Sequence, residues 1–365
     1  MNDITIDKKG WKKWRFDEFA QNISERVEPS QTDMDVYVGL EHIDPDTLHL
    51  SRHGHPSDVE GTKLRFYKGD IIFGRRRAYQ RKTALATTDG ICSAHAMVLR
   101  AKEDVVDPSF FPFLFHSKQF IDMAITISVG GLSPTINWKD ISKQEFLLPP
   151  KSEQKRLAEL LWAADEMIEK EKKELEKVNY YFFTLQNNIF QSNFTKTKKL
   201  CDIANITMGQ SPIGTSYNEN KDGIPFLQGN SEFTDKYPIA VKYTTLPNKM
   251  ANTGDILMSV RAPVGAINIA DKSYCIGRGL CAIAAKSGNN DYLRFLLQSK
   301  KIEFDRISTG STFKAINSSD LKNLEVPSKE QDITSLLECE KSIKYIKNCI
   351  QYGKQLKQEL TNIIF

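Results

Sequence analysis

Two stretches of the chain carry apolar residues at helical spacing over an unusual length. After Pro150 they fall at Leu157, Leu161, Ala164, Ile168, Leu175, Val178, Phe182, Leu185 and Ile189. The steps alternate four and three, with one gap at Glu171, which is the pattern of a heptad seam. A second stretch places Ile333, Leu336, Ile343, Ile346, Ile350, Leu356, Leu360 and Ile363 on a looser seam, with Gly353 inside it. A helix of ~38 residues is ~57 Å long at 1.5 Å per residue. One seam of that length cannot be buried alone, so the two helices are expected to pack on each other. Each follows a proline signal, Leu148-Pro149-Pro150 or Val326-Pro327, and Ser152 and Ser328 are expected to cap them.

The segments before these helices read as α+β. Val36–Val38, Asp70–Phe73, Ala96–Leu99, Asp255–Met258 and Ala282–Ala284 have strand character, and Phe110–Phe120 and Tyr292–Phe304 read as short helices. They also repeat. Gly69-Asp70-Ile71 matches Gly254-Asp255-Ile256, and Ala101-Lys102 matches Ala285-Lys286. Phe113-Leu114 and Ser117-Lys118 match Phe295-Leu296 and Ser299-Lys300. Ile127-Ser128-x-Gly130 matches Ile307-Ser308-x-Gly310, Ile136-Asn137 matches Ile316-Asn317, and Glu153-Gln154 matches Glu330-Gln331. The offset drifts from 185 to 177 in small steps, as loop insertions and deletions would make it. The chain is thus a divergent tandem repeat, each copy a strand-rich segment closed by a long helix. Two-fold pseudo-symmetry of the copies would make the helices antiparallel.

Composition narrows the class. The 365 residues are 40% hydrophobic and 26% charged, as in soluble globular chains. No apolar run approaches the ~18 residues of a membrane span, and Met1-Asn2-Asp3-Ile4 lacks the basic, apolar character of a signal peptide. A cytoplasmic protein without membrane contact is expected. The six cysteines form no CxxC pair and fit free thiols in a reducing compartment. His53-x-His55 has no second ligand pair at metal spacing, so no metal site is expected.

Catalytic motifs are missing. Pro149-Pro150 is flanked by leucine and lysine, unlike the Asn/Asp-Pro-Pro-aromatic motif of adenine methyltransferases. Gly277-Arg278-Gly279 is too short for a cofactor loop, and there is no GxxxxGK[ST]. Asp165 with Glu171-x-Lys173 could suggest a nuclease, but seven basic and eight acidic residues between 151 and 194 favour a solvated, salt-bridged helix face.

Local charge points to nucleic acid. From Gly61 to Lys102 ten basic residues face two acidic ones, although the whole chain carries only +4. The centre is Arg75, Arg76, Arg77, Tyr79, Arg81 and Lys82. Guanidinium forks suit phosphate oxygens and the guanine O6/N7 edge, and the tyrosine adds a stacking surface. Arg76 and Arg261 align at the offset of 185. The second copy adds Gln210, Ser211, Tyr217, Gln228, Asn230 and Arg278 in loops; glutamine and asparagine can bond adenine bidentately. One scaffold carrying two different loop sets would read two different half-sites.

These features resemble the specificity subunit of type I restriction–modification systems. The resemblance rests on the two-copy layout, the repeated Gly-Asp-Ile, and Gly310-Ser311-Thr312-Phe313-Lys314-Ala315-Ile316-Asn317. It also rests on Pro-x-x-Glu-Gln before each helix, Val38-Gly39-Leu40-Glu41-His42-Ile43, and Gly90-Ile91-Cys92-Ser93-Ala94-His95-Ala96-Met97. It implies two target-recognition domains, 1–150 and 195–327, with spacer helices at 151–194 and 328–365. It further implies no catalysis by this chain, double-stranded DNA as ligand, and two docked methyltransferase subunits. Motor and nuclease subunits could join them, and S-adenosylmethionine, ATP and Mg would be bound by those partners, none by this chain. A specificity chain of another two-subunit enzyme, a methyltransferase or nuclease in its own right, and a coiled-coil adaptor for proteins are the competing readings.

Overall fold

The computed structural model describes residues 6–190, 196–308 and 315–365. Met1–Ile4 and the Gly310–Lys314 motif lie outside the described residues. The chain forms two compact units, one running up to Leu175 and taking in Tyr345–Phe365, the other Glu176–Lys344.

Each unit repeats the same plan. In the first, Lys12–Arg15 pairs with Glu145–Leu148 and ties the start of the segment to its end. A four-stranded antiparallel sheet has the order Ala20–Ile23, Met97–Ala101, Ile71–Phe73, Thr83–Leu85. A second sheet includes a parallel pair, Tyr37–Val38 beside Gly90–Cys92. In the second unit Thr197–Lys199 pairs with Glu325–Pro327. The antiparallel order Ala204–Met208, Leu280–Ala285, Ile256–Ser259, Ile267–Ile269 corresponds strand for strand. Its second sheet also has one parallel pair, Ile224–Leu227 beside Tyr274–Ile276.

The repeated Gly-Asp is explained by a turn that needs both residues. Gly69 and Gly254 have φ of +93° and +89°, where L side chains are strained. The Asp70 carboxylate accepts from the Tyr67 N–H at 2.8 Å, and the Asp255 carboxylate from the Asn252 N–H at 2.8 Å. The glycine N–H groups donate to equivalent carbonyls, Ala86 and Ala270, at 2.9 and 2.8 Å.

The two helices are present, as Lys151–Phe190 and Thr334–Ile364. Leu157, Leu161 and Ile168 are buried; Ala164, Leu175, Val178, Phe182, Leu185, Ile343, Ile350 and Leu360 are half-buried. Leu356, placed on the second seam by spacing, is 42% exposed. The helices serve the globular cores as well as each other. Leu157, Ala158, Leu161, Ile364 and Phe365 join the first core of Phe16, Phe19, Phe111, Phe115, Phe120 and Phe146. A fully buried leucine contributes about 1.5–3 kcal/mol. In the second unit Phe190, Ile333 and Leu336 join the core, and Phe182 meets Phe295 edge-on at 5.8 Å. This sharing is why the compact units cut across both helices rather than at their ends.

Within the first unit the helices run antiparallel, since Lys357 meets Asp165 and Gly353 meets Ile168. Gly353 marks their close approach. A Cβ there would stand 3.0 Å from Ile168 Cγ1 and 3.2 Å from Met167 Cε, so the glycine that loosened the seam pattern is what lets the helices touch.

Two expectations need correction. The C-terminal helix starts at Thr334, so Ser328 does not cap it; the Asp332 carboxylate instead accepts from the Thr334 N–H at 2.9 Å. The central helix starts at Lys151, which puts Ser152 inside its first turn. Asp165 is not on a solvated face either. It is 1% exposed, and its carboxylate accepts from Lys357 Nζ at 2.7 Å and pairs with His49 Nε2 at 2.5 Å. Burial would push this carboxyl up, but the His49 hydrogen bond and the Lys357 charge outweigh it and hold it at about 2.

Candidate nucleic-acid interface

In the first unit the basic cluster follows the strand Ile71–Phe73 and closes on a short turn at Ala78–Gln80. Arg77 and Arg81 flank the turn with φ of +58° and +55°, left-handed conformations uncommon for arginine. A second loop clamps the cluster from the side. Arg76 and Thr135 form an antiparallel bridge, the Ile136 N–H donates to the Arg75 carbonyl at 3.0 Å, and the Arg77 N–H to the Pro134 carbonyl at 2.8 Å. The second unit reproduces this with Arg261 bridged to Ala315 and the Ile316 N–H on the Val260 carbonyl at 3.0 Å. The alignment of Arg76 with Arg261 thus has a structural counterpart.

The basic side chains part company. Arg77 and Tyr79 are exposed, Tyr79 by 52%. Arg77 Nε and Nη2 donate to Ser133 Oγ at 3.2 and 3.1 Å. Arg76 Nη1 lies 3.4 Å from His95 Nε2, and Arg75 Nη2 donates to the Ala94 carbonyl at 3.3 Å. Arg75 also lines a cleft of about 430 Å³ with Asn22, Arg26, Lys63 and Trp138. Arg81 and Lys82 turn the other way, Arg81 onto Asp46, His116 and Gln358, and Lys82 Nζ onto the Leu40 carbonyl at 2.5 Å.

The quoted segments 38–43 and 90–97 come together as the parallel strand pair, with His42 Nδ1 accepting from the Gly39 N–H at 3.0 Å. Ser133–Thr135 were absent from the candidate contacts, and His95 entered only as part of segment 90–97. The match of Ile136-Asn137 to Ile316-Asn317 was the available signal for the former.

In the second unit three separate loops converge. The Gly209 N–H donates to the Leu280 carbonyl at 2.9 Å, the Gln210 N–H to Ile276 at 2.9 Å, and the Gly277 N–H to Leu227 at 2.8 Å. The Val260 N–H reaches the Gly279 carbonyl at 3.0 Å, which brings the Arg261 loop to the same place. Glycine makes the approach possible: a Cβ on Gly279 would stand 2.6 Å from the Gln228 carbonyl oxygen. The result is one face that presents Gln210, Gln228, Arg261 and Arg278 exposed, with Ser211 and Asn230 half-buried beside them. Tyr217 is half-buried, stacks on Phe226 at 4.9 Å and donates its hydroxyl to the Pro212 carbonyl at 2.9 Å.

Arg76→Ala is expected to reduce affinity at one half-site only. If the guanidinium reads guanine, preference at one base position relaxes by ~1–3 kcal/mol; if it holds phosphate, all sequences weaken alike and the salt slope falls by ~0.9. Binding titrations at several salt concentrations separate the two, and unchanged binding would remove Arg76 from the interface.

Among the described residues there is no group of three or more His, Cys, Asp and Glu placed to hold a metal. No described helix is long and apolar enough to cross a membrane. All six cysteines are free.

Each copy of the duplicated strand-rich scaffold thus carries its own set of polar loop residues on a matched backbone frame. The family described as type I restriction modification DNA specificity domain matches residues 50–180 and 193–362, and the chain belongs to that family. It is therefore a specificity subunit, a non-catalytic component of a restriction–modification complex. It is 28% identical over 351 residues to a Methanocaldococcus jannaschii protein described as the MjaX type I restriction enzyme specificity subunit, covering 88% of this chain and 82% of that one. It is 31% identical over 166 residues to the Escherichia coli EcoDI specificity subunit, covering 44% of this chain and 37% of that one. A chain from a structural study of assembly and conformational transition of the type I system aligns with TM-score 0.64 and 25% identity, over 98% of this chain and 97% of that one. The Thermoanaerobacter tengcongensis HsdS subunit shares the fold, with TM-score 0.51 and 24% identity over 100% of this chain and 98% of that one.

Proposed function

We propose that the two units each read one half of a split site in double-stranded DNA. The first unit would use Arg75, Arg76, Arg77 and Tyr79; the second Gln210, Gln228, Arg261 and Arg278. The observation that carries this reading is the pair of matched backbone clamps, Arg76–Thr135 and Arg261–Ala315, on which dissimilar side chains are mounted. A conserved frame with exchanged loops separates placement from base choice. The chain would act in the cytoplasm and bind no cofactor; S-adenosylmethionine, ATP and Mg would belong to methyltransferase and motor or nuclease subunits.

Two methyltransferase subunits are proposed to dock on the long helices. The central helix exposes Tyr180, Tyr181 and Phe183 by 75, 56 and 59%, and the C-terminal helix exposes Tyr345 and Tyr352 by 70% each. Aromatic side chains outside a core suit a protein interface.

The test is a genome-wide map of methylated adenine in the host with and without this gene. Deletion is expected to erase one split motif, whose halves and spacer it thereby reveals. An unchanged map in a host whose partner methyltransferase is active would overturn the reading.

A further inference from the structure

The basic loop of the first unit ends on an arginine that faces inward. The Asp46 carboxylate accepts from Arg81 Nε, and Arg81 Nη2 donates to the His116 carbonyl at 3.1 Å and to Gln358 Oε1 at 3.0 Å. Gln358 lies on the C-terminal helix. Its Nε2 donates to the same His116 carbonyl at 3.0 Å and to Asn362 Oδ1 at 2.9 Å. Asn362 Oδ1 in turn accepts from the Lys118 N–H at 2.8 Å. Three segments distant in sequence from the loop and from one another thus close on one guanidinium.

Two features fix Arg81 within the protein, and its partners, the Asp46 carboxylate and Gln358 of the C-terminal helix, distinguish it from Arg77, whose fork meets only the Ser133 hydroxyl among the described residues and lies exposed. The Nε/Nη2 edge of Arg81, the fork that would grip a phosphate, is already engaged inside the protein. Its backbone is left-handed at φ +55°, and Asp46, also left-handed at +58°, donates its N–H to the Arg81 carbonyl at 3.3 Å. Non-glycine residues stay in that region only where their surroundings over-determine them. At the loop's other end Arg77 is held in the same way by Ser133 and Pro134. Tyr79 is carried between two fixed points, with Arg76 adjoining the first of them.

We infer that Arg81 is a positioning residue: it does not touch DNA, but through Gln358 anchors the arginine loop to the C-terminal helix, so that base discrimination at the first half-site depends on that helix. The inference rests on the DNA-reading assignment above. It explains why a helix at the far end of the chain contributes a side chain to the base of a recognition loop.

The test uses the full chain assembled with its partner subunits and a pool of randomised DNA duplexes. Bound duplexes are sequenced for the unaltered chain, Arg81→Ala, Gln358→Ala and Gln358→Glu, with Arg76→Ala marking the half read by the first unit. Arg81→Ala and Gln358→Ala are expected to flatten base preference in that half by about tenfold. The other half and the salt dependence of affinity should stay as they were. Gln358→Glu keeps an acceptor for Arg81 and should recover most of the preference.

Uniform weakening of all sequences by Arg81→Ala, with the salt slope reduced by about 0.9, would make Arg81 a phosphate contact and overturn the proposal. A sharp first half-motif in Gln358→Ala would overturn it as well. Should Arg81→Ala fail to fold, the Gln358 pair decides. An unaltered chain that selects no split motif overturns the DNA-reading assignment, and this proposal with it.

Discussion

Asp165→Ala is expected to destabilise the first unit by about 3–5 kcal/mol, because it leaves Lys357 buried without its counter-charge. Lys357 is 8% exposed and Asp165 1%, so neither can turn to water without opening the helix pair. Replacing both, as Asp165→Leu with Lys357→Met, should return stability to within about 1 kcal/mol of the unaltered chain, since the desolvation of both charges is then avoided. Denaturant unfolding of the three chains decides. A loss below about 1 kcal/mol for the single variant would show that the pair is solvated.

The same cluster sets a pH dependence. His49 is raised above its ordinary 6.5, chiefly by the hydrogen bond to Asp165 and against the effect of burial. A raised histidine contributes stability that is complete below about 6.5 and lost as pH climbs through its folded-state value. Asp165, lowered from 3.8 to about 2, contributes stability present above about 4 and lost as pH falls towards 2. The cluster is therefore strongest between about pH 4 and 6.5. His49→Gln should remove the upper limb of this dependence and shrink the lower one, since the His49 hydrogen bond leads the effects that hold Asp165 down and Lys357 alone then remains; urea unfolding at a series of pH values reads both limbs.

What the sequence made legible follows the range of the interactions involved. The helix seams and the Gly-Asp turns obey local rules, heptad spacing and a positive φ, which show in any short window. The Asp165–Lys357 pair joins residues 192 positions apart, so composition along one helix could only suggest a solvated face. Arg76 and Arg81 are the same residue type five positions apart and both half-buried, and only the distant placement of His95 for one and of Asp46 and Gln358 for the other gives them different partners. The polar loops of the second unit were recognisable by residue type. Their convergence was not, because it depends on backbone contacts between Gly209, Gln228 and Gly277.

That convergence makes Gly209→Ala the second large effect. A Cβ on Gly209 would stand 2.1 Å from the Gly277 carbonyl oxygen and 2.8 Å from that of Leu280, both backbone atoms. Neither oxygen can swing aside alone. Gly277 accepts from the Leu280 N–H at 3.0 Å, and Leu280 accepts from Gly209 itself at 2.9 Å. The loops must separate, which gives up the Gly209–Leu280 and Gln210–Ile276 hydrogen bonds. Overpacking of ~1–3 kcal/mol with two bonds of ~0.5–1.5 kcal/mol each gives an expected loss of about 2–6 kcal/mol in the second unit. Gly214→Ala is the control, since a Cβ there meets nothing within 4 Å. Separation also carries Gln210 and Ser211 away from Arg278, whose N–H lies 3.5 Å from Ser211 Oγ. Base preference should therefore fall in the half-site read by the second unit and persist in the other. Preference retained in both halves, with unfolding unchanged, would mean that the loops do not meet at Gly209.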